Sequence, residues 1–256
     1  MGMTIGDLRG KAAVVTGGNG GIGLGIAKGL GTAGAAIVVA GRDPAKNEAA
    51  VASLRALGVD AASFVHEVTS ETSARGLVAF TTERHGRLDI LVNNAGINDR
   101  KPPQDYALAE WQRIIDANLT GTFICCQAAY PAMRASGGGK IINIGSMMTR
   151  FGHALLAPYA ASKGGVGQLT MALACAWAKD AIQVNAILPG WIDTELTRRA
   201  REQIPGLDER VVARTPAGRW GRPEDLAGLA IFLASPAADF VTGALIPCDG
   251  GYSAQG

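Results

Sequence analysis

The sequence predicts an α/β protein: one doubly wound parallel sheet with helices on both faces. Three observations predict it. Short apolar, often β-branched runs alternate with longer stretches whose apolar residues recur at helical spacing, along nearly all of the 256 residues. The first run ends in a glycine-rich turn that opens into a helical stretch. Polar residues with chemical capability stand just beyond the later runs, at the edge where parallel sheets collect ligands.

The elements follow in order. Ala12–Thr16 is the first strand. Gly17, Gly18, Gly20, Gly21 and Gly23 form the turn, and Ile22, Ile26, Ala27 and Leu30 then repeat at helical spacing. Residues 36–40 form a second strand, followed by a polar helix over about 44–57. A third strand is expected at 62–65, with Ser70 as the N-cap of a helix reaching His85. A fourth strand at 90–92 ends in Asn93-Asn94-Ala95-Gly96, and a long helix covers about 108–133. Gly137-Gly138-Gly139 turns the chain into a fifth strand from Lys140. The helix carrying Tyr159 runs to about 179, and 182–188 is a sixth strand broken by Pro189-Gly190. Residues 191–222 read as irregular, with one short helix near 195–203. A helix at 223–234 and a last strand near 244–246 close the chain. Neither linker nor repeat interrupts the alternation, so residues 1–256 read as one domain of about seven strands, with 190–222 as a substrate loop within it.

Composition narrows the function. A formal net charge of +2 gives no bulk argument for nucleic acid. No run of about 18 apolar residues suggests a membrane span. Residues 1–11 lack the apolar core of a signal peptide. Cys125, Cys126, Cys175 and Cys248 show neither disulfide-framework nor metal-ligand spacing, which fits a reducing, cytoplasmic setting and no metal site.

Two local patterns carry chemistry. Glycines between the first strand and its helix let backbone approach a pyrophosphate, and the helix N-terminus offers free N–H groups and a positive dipole end. At the end of the second strand an NAD-selecting protein would carry a carboxylate; here Gly41 and Arg42 stand instead. A guanidinium suits a 2′-phosphate, so NADP(H) is expected over NAD(H). Gly41→Asp together with neutralisation of Arg42 should then move preference toward NAD. The second pattern is Ser146, just past the fifth strand, with Tyr159 and Lys163 four residues apart on one helical face. A phenol with a nearby ammonium and a hydroxyl to hold a substrate oxygen can move a proton while a hydride moves elsewhere.

Taken together, these residues resemble the short-chain dehydrogenase/reductase family, a Rossmann-type fold, over nearly the whole chain. The matching segments are Thr16-Gly17 with Gly21 and Gly23; Asn93-Asn94-Ala95-Gly96; Asn118-Leu119-Thr120-Gly121; Ser146, Tyr159 and Lys163; residues 189–194; and Asp249-Gly250-Gly251. The resemblance implies a homotetrameric NAD(P)-dependent alcohol dehydrogenase or ketoreductase with a small-molecule substrate. It implies a catalytic tetrad of Asn118, Ser146, Tyr159 and Lys163. In it Tyr159 is the acid/base, Lys163 lowers its pKa and holds the nicotinamide ribose, Ser146 orients the substrate oxygen, and Asn118 holds a water that links Lys163 to solvent. The cofactor would lie against Gly17, Asn19, Gly21, Ile22, Gly23, Arg42, Asn94, Ala95, Gly96, Pro189 and Gly190, with Ile192 and Thr194 on its carboxamide. Glu67 and Val68 would meet the adenine, although the family usually has an aspartate where Glu67 stands.

Residues 214–221 and 238–243, with Arg42-Asp43-Pro44, look like the branch containing gluconate 5-dehydrogenases and 2-deoxygluconate 3-dehydrogenases. Arg150 and His153 could then face a substrate carboxylate. Met147, Met148 and Trp191 could instead line a site for a less polar ketone. Two rivals stay open. A 3-oxoacyl-[acyl-carrier-protein] reductase would use basic surface such as Arg198, Arg199 and Arg201 toward an acidic partner. A cofactor-sensing protein would keep the fold without needing the tetrad. The long helix and the Tyr159 helix carry apolar residues over much of their circumference (Cys125, Cys126, Met171, Leu173, Trp177), as helices buried against a partner subunit would.

Overall fold

A computed structural model of the chain describes residues 6–255; the side chains at 196, 199 and 203 also fall outside the description. Residues 1–5 of the segment read for a signal peptide therefore lie outside the described residues, as does the side chain of Arg199.

Seven parallel strands form one sheet in the order β3-β2-β1-β4-β5-β6-β7. They are β1 (Ala12–Thr16), β2 (Ala36–Gly41), β3 (Ala61–Val65), β4 (Ile90–Asn93), β5 (Gly139–Ile144), β6 (Ile182–Pro189) and β7 (Leu245–Cys248). Side chains alternate between faces along each strand. In β1, Ala13 and Val15 enter one core while Val14 enters the other. The first core is closed by α1 (Gly21–Thr32), α2 (Pro44–Arg55) and α9 (Ala227–Ala234). The second is closed by α3 (Glu71–His85), α5 (Gly121–Ala135) and α6 (Ala157–Trp177). Burial on both faces explains the near-continuous apolar character of the strands. Winding runs outward both ways from the β1–β4 pair. The crevice between these strands opens at their C-terminal ends.

Local capping matches the residues that specify it. Ser70 accepts the Ser73 N–H at 3.2 Å and starts α3, and Gly86, with φ of 73°, ends it. Asp43 accepts the Ala45 and Lys46 N–H groups and starts α2, with Pro44 in its first turn.

Three expectations need correction. The helix expected over 108–133 is α4 (Leu108–Ile115) joined to α5 by a π-helical turn, Asp116–Thr120. Asn118 sits inside that turn. Residues 191–222 are not mostly irregular. They carry α7 (Glu195–Gln203) and a second helix, α8 (Leu207–Arg214), packed through Leu207 and Val211 against Trp220. A short parallel bridge between Ile192 and Gly221 ties the segment's two ends together. The apolar circumference assigned to a partner subunit is largely used within the chain. Cys125, Cys126 and Leu173 are buried in the second core, and Trp177 stacks on Tyr130 at 4.8 Å. Among the described residues, no helix is long and apolar enough to cross a membrane.

Candidate active site

A cleft of about 1630 Å³ runs along the C-terminal edge of the sheet. Every residue expected to touch the cofactor lines it except Gly23. Gly23 serves it from behind: a Cβ there would stand 2.3 Å from the Gly17 carbonyl oxygen, so only glycine lets α1 seat against the turn. Gly17 and Gly21 adopt φ of 61° and 48°. No side chain caps α1, so the free N–H groups of its first turn stay available at the cleft. Asn94 donates to the Thr16 and Gly17 carbonyl oxygens at 3.1 and 3.0 Å, locking the turn to the end of β4. Thr194 lies over Gly21; its Cγ2 would be 3.2 Å from a Cβ at that position. The cradle fits a dinucleotide: tight, cationic at one end, and too close to the backbone for side chains at its floor.

At the end of β2, Arg42 projects with 71% of its side chain exposed. Asp43 does not neutralise it, because Asp43 caps α2; Glu67 stands 4.0 Å away. Glu67 also accepts from the Thr69 N–H and hydroxyl at 3.3 and 3.1 Å, which bends it back along its own loop. Asn47, buried on α2, donates to the Gly41 carbonyl oxygen at 2.8 Å and accepts from Asn19 at 2.7 Å. A Cβ at Gly41 would meet these two amides at 2.4 and 2.7 Å. Gly41→Asp is therefore not the clean cofactor-swapping substitution that the sequence suggests, since this asparagine pair occupies the space.

At the other end, Ser146, Tyr159 and Lys163 line the cleft together. The Ser146 Oγ accepts the Met148 N–H at 3.1 Å, and its hydroxyl reaches the Tyr159 phenol. Thr149 donates to the Lys163 carbonyl oxygen at 3.0 Å, fastening the serine turn to α6. Lys163 is almost fully buried, with Nζ donating to the Ile144 carbonyl oxygen at 2.6 Å. Burial pushes its pKa down to about 8. Its Nζ lies 5.8 Å from the Tyr159 ring centroid. Burial pushes the Tyr159 phenol up from its ordinary value; the Ser146 hydrogen bond and the charge of Arg100 pull the other way. Lys163 thus donates to a backbone carbonyl while its ammonium stays near the phenol ring, and the charge of Arg100 also bears on Tyr159.

Asn118 is completely buried in the π turn. Both of its amide N–H groups are committed, to the Ile97 carbonyl oxygen at 2.9 Å and to Ser162 at 3.0 Å, and its Oδ1 accepts the Ile97 N–H at 2.8 Å. Its side chain therefore braces the strand-end loop. Its side chain keeps at most one lone pair of Oδ1 for a water, and its carbonyl oxygen, which accepts from the Thr122 hydroxyl at 2.8 Å, keeps another.

The substrate-side expectations fare unevenly. Ser146 faces the cleft. Arg150 does not: it is exposed, and its Nη2 donates to the Leu245 carbonyl oxygen at 3.0 Å, away from the phenol. His153 is exposed, and its Nδ1 accepts the Leu155 N–H at 3.2 Å. Its pKa is lowered first by burial and then by Arg100. Met147 is buried under the serine turn, and Met148 is half-buried beside it. Trp191 packs edge-on against Trp220 at 5.5 Å. Of the basic residues offered to an acidic partner, Arg198 and Arg201 are both paired with Asp193.

Arg100 was missed by the sequence reading. It lies in the run Asn98-Asp99-Arg100-Lys101, directly after the Asn-Asn-Ala-Gly segment that ends β4. A charged run at the ligand-collecting edge of the sheet was the available signal.

A family profile described as Enoyl-(Acyl carrier protein) reductase matches residues 17–253. The chain is 41% identical to a 2-dehydro-3-deoxy-D-gluconate 5-dehydrogenase of Formosa agariphila over 97% of this chain and 94% of that protein. It is 39% identical to the gluconate 5-dehydrogenase of Gluconobacter oxydans, over 96% of each. Among solved structures, a gluconate 5-dehydrogenase from Burkholderia cenocepacia, in complex with NADP and tartrate, superposes with a TM-score of 0.92 at 40% identity, covering 98% of this chain and 99% of that one.

Proposed function

The chain belongs to the short-chain dehydrogenase/reductase family and is an NAD(P)-dependent oxidoreductase interconverting a secondary alcohol and a ketone; on that premise we propose that its substrate is a sugar acid of the gluconate type, with Tyr159 as acid/base. The observation that carries the substrate is the full-length likeness to gluconate-type 5-dehydrogenases at about 40% identity. The side chain offered to the acid is Arg100, half-buried two residues past the cleft-lining Asn98, with a charge that bears on the Tyr159 phenol. A guanidinium suits a carboxylate, which it can hold through forked, charge-assisted hydrogen bonds. The substrate would lie with its acid end on Arg100 and a secondary hydroxyl or keto carbon at Tyr159.

The bound nicotinamide supplies or accepts the hydride. In ketone reduction the neutral Tyr159 phenol gives its proton to the carbonyl oxygen. In alcohol oxidation the phenolate takes it back. Ser146 donates its hydroxyl to the substrate oxygen, and the Met148 N–H keeps its Oγ in place. The raised phenol pKa favours reduction near neutral pH, and oxidation gains as pH rises. Lys163 stands behind the phenol and can return protons to it. Asn118 holds the Ile97 loop against which this pair sits.

NADP(H) is the preferred cofactor in this reading. Arg42 is exposed at the cleft, and the Asn19–Asn47 pair takes the space that an NAD-selecting carboxylate would need. A homotetramer also belongs to it, with the exposed Leu108 and Phe123 on α4 and α5 as candidate subunit contacts; light scattering at the mass of one chain would remove that part.

The test is kcat/KM for D-gluconate, sorbitol and a 3-oxoacyl thioester, with both cofactors, in wild type and Arg100→Ala. D-gluconate with NADP should lead in the wild type. Arg100→Ala should raise its KM by about tenfold or more, as loss of a charge-assisted contact predicts. A preference for the thioester, or a gluconate KM untouched by the substitution, would overturn the sugar-acid reading.

A further inference from the structure

Among the described residues no carboxylate pairs with Arg100; the neighbouring Asp99 is taken by Arg113. A long side chain that must present its guanidinium to a substrate needs something else to hold it. Its Cζ stands 5.7 Å from the centroid of the Trp191 ring. Trp191 in turn meets Trp220 in a T-shaped contact, with centroids 5.5 Å apart and planes at 71°. Arg201 covers Trp220 at 4.3 Å and is itself paired with Asp193 and, at 3.5 Å, Asp208. Trp220 is buried on Leu207 and Val211 of α8. Neither indole N–H finds a partner, so both rings are held by faces and edges alone. An arginine stacked on an aromatic face keeps its in-plane N–H fork free for an anion.

We propose that Trp191 is a positioning residue: its ring holds the Arg100 guanidinium at the mouth of the cleft, which Asn98, Gly190 and Ile192 line, and the Trp220–Arg201–Asp193 stack of the same segment holds Trp191. The inference rests on the reading of Arg100 as the carboxylate partner. It links residues 191–222 to the side chain offered to the acid, so order in that segment sets the affinity for the acid.

The experiment compares Trp191→Leu, Trp191→Phe, Arg100→Ala and the Trp191→Leu/Arg100→Ala double variant, with NADP and either D-gluconate or cyclohexanol. Trp191→Leu should raise KM for D-gluconate by about tenfold, the loss expected when a desolvated cation–π contact goes. Its kcat/KM for cyclohexanol, which has no carboxylate, should stay within about twofold, because no guanidinium contact is at stake there. Trp191→Phe keeps a weaker ring and should give an intermediate KM; it carries the test if the leucine variant fails to fold. The double variant should match Arg100→Ala alone, since both substitutions remove one coupled contact. Equal losses on the two alcohols, additivity in the double variant, or a wild-type KM in Trp191→Phe would overturn the proposal. If Arg100→Ala raises the gluconate KM while Trp191→Leu does not, this proposal falls and the sugar-acid reading stands. If Arg100→Ala has no effect, both fall.

Discussion

The two walls of the cleft hold their charges in opposite ways. On the sheet-edge wall, Lys163 and Asn118 are buried and tied by short hydrogen bonds to Ile144 and Ile97 backbone atoms. On the wall formed by residues 191–222, Arg198, Arg201 and Arg219 are paired with the half-exposed Asp193 and Asp225, around a small core of Leu207, Val211 and Trp220. The first wall is rigid and electrostatically costly. The second is a loosely attached layer whose ion pairs are individually weak. The proposed chemistry therefore sits among buried, tied side chains, and the proposed substrate selection where side chains can be exchanged at little cost to the fold.

The largest effect should come from the rigid wall. Tyr159→Phe removes the group proposed to exchange the substrate proton, and kcat should fall by about 10²–10⁴-fold with the melting temperature nearly unchanged. Retained turnover in a folded, cofactor-binding variant would break the comparison at its base.

Lys163→Met should abolish most turnover yet strengthen the cofactor-free fold, because it removes a cation buried at a cost. The gain should be on the order of 1–3 kcal/mol, reduced by the unpaired Ile144 carbonyl left behind. The sign of the pH dependence follows from the same burial. The folded pKa of about 8 lies below the ordinary lysine value of 10.5. Between these values the unfolded chain holds a proton that the folded chain has released, so stability rises with pH across that window. Below about 8 both states are protonated, and the penalty is constant. Thermal melts of the apo protein at pH 7, 8.5 and 9.5 should show the rise in wild type and its loss in Lys163→Met. Parallel curves would sink it.

The smallest effect should come from the outer wall. Asp193→Asn releases Arg198 and Arg201 from a carboxylate whose pKa they hold low, Arg198 foremost. Global stability should change by no more than about 1 kcal/mol, as for other half-exposed pairs. The KM for the sugar acid should rise by about threefold, a loss of well under one strong contact, and limited proteolysis should speed up within residues 191–222. A collapse in melting temperature would show that this segment is part of the folding core after all.

The same division governs how far the sequence could be read. Strand and helix order, the glycine turn, the Ser70 cap and the meeting of Ser146, Tyr159 and Lys163 were all legible, because each is written in local periodicity or short spacing. The helix α8 was not. It offers only Leu207 and Val211 as apolar anchors, and its burial comes from Trp220, which follows it in the chain. Arg150 looked suitable by its position between Ser146 and Tyr159, but a carbonyl on β7, far along the chain, takes its guanidinium.

By itself the sequence determined the doubly wound sheet, the glycine turn and which of Ser146, Tyr159 and Lys163 would meet at one cleft, since backbone conformations and apolar patterns are local properties. Only the tertiary structure decided which charges act on which groups. Arg100 meets the Trp191 ring from beyond the end of β4, Lys163 turns to Ile144, and Asn47 fills the space above Gly41. Electrostatic coupling depends on distance and burial, and both are fixed by packing between segments that the sequence keeps far apart.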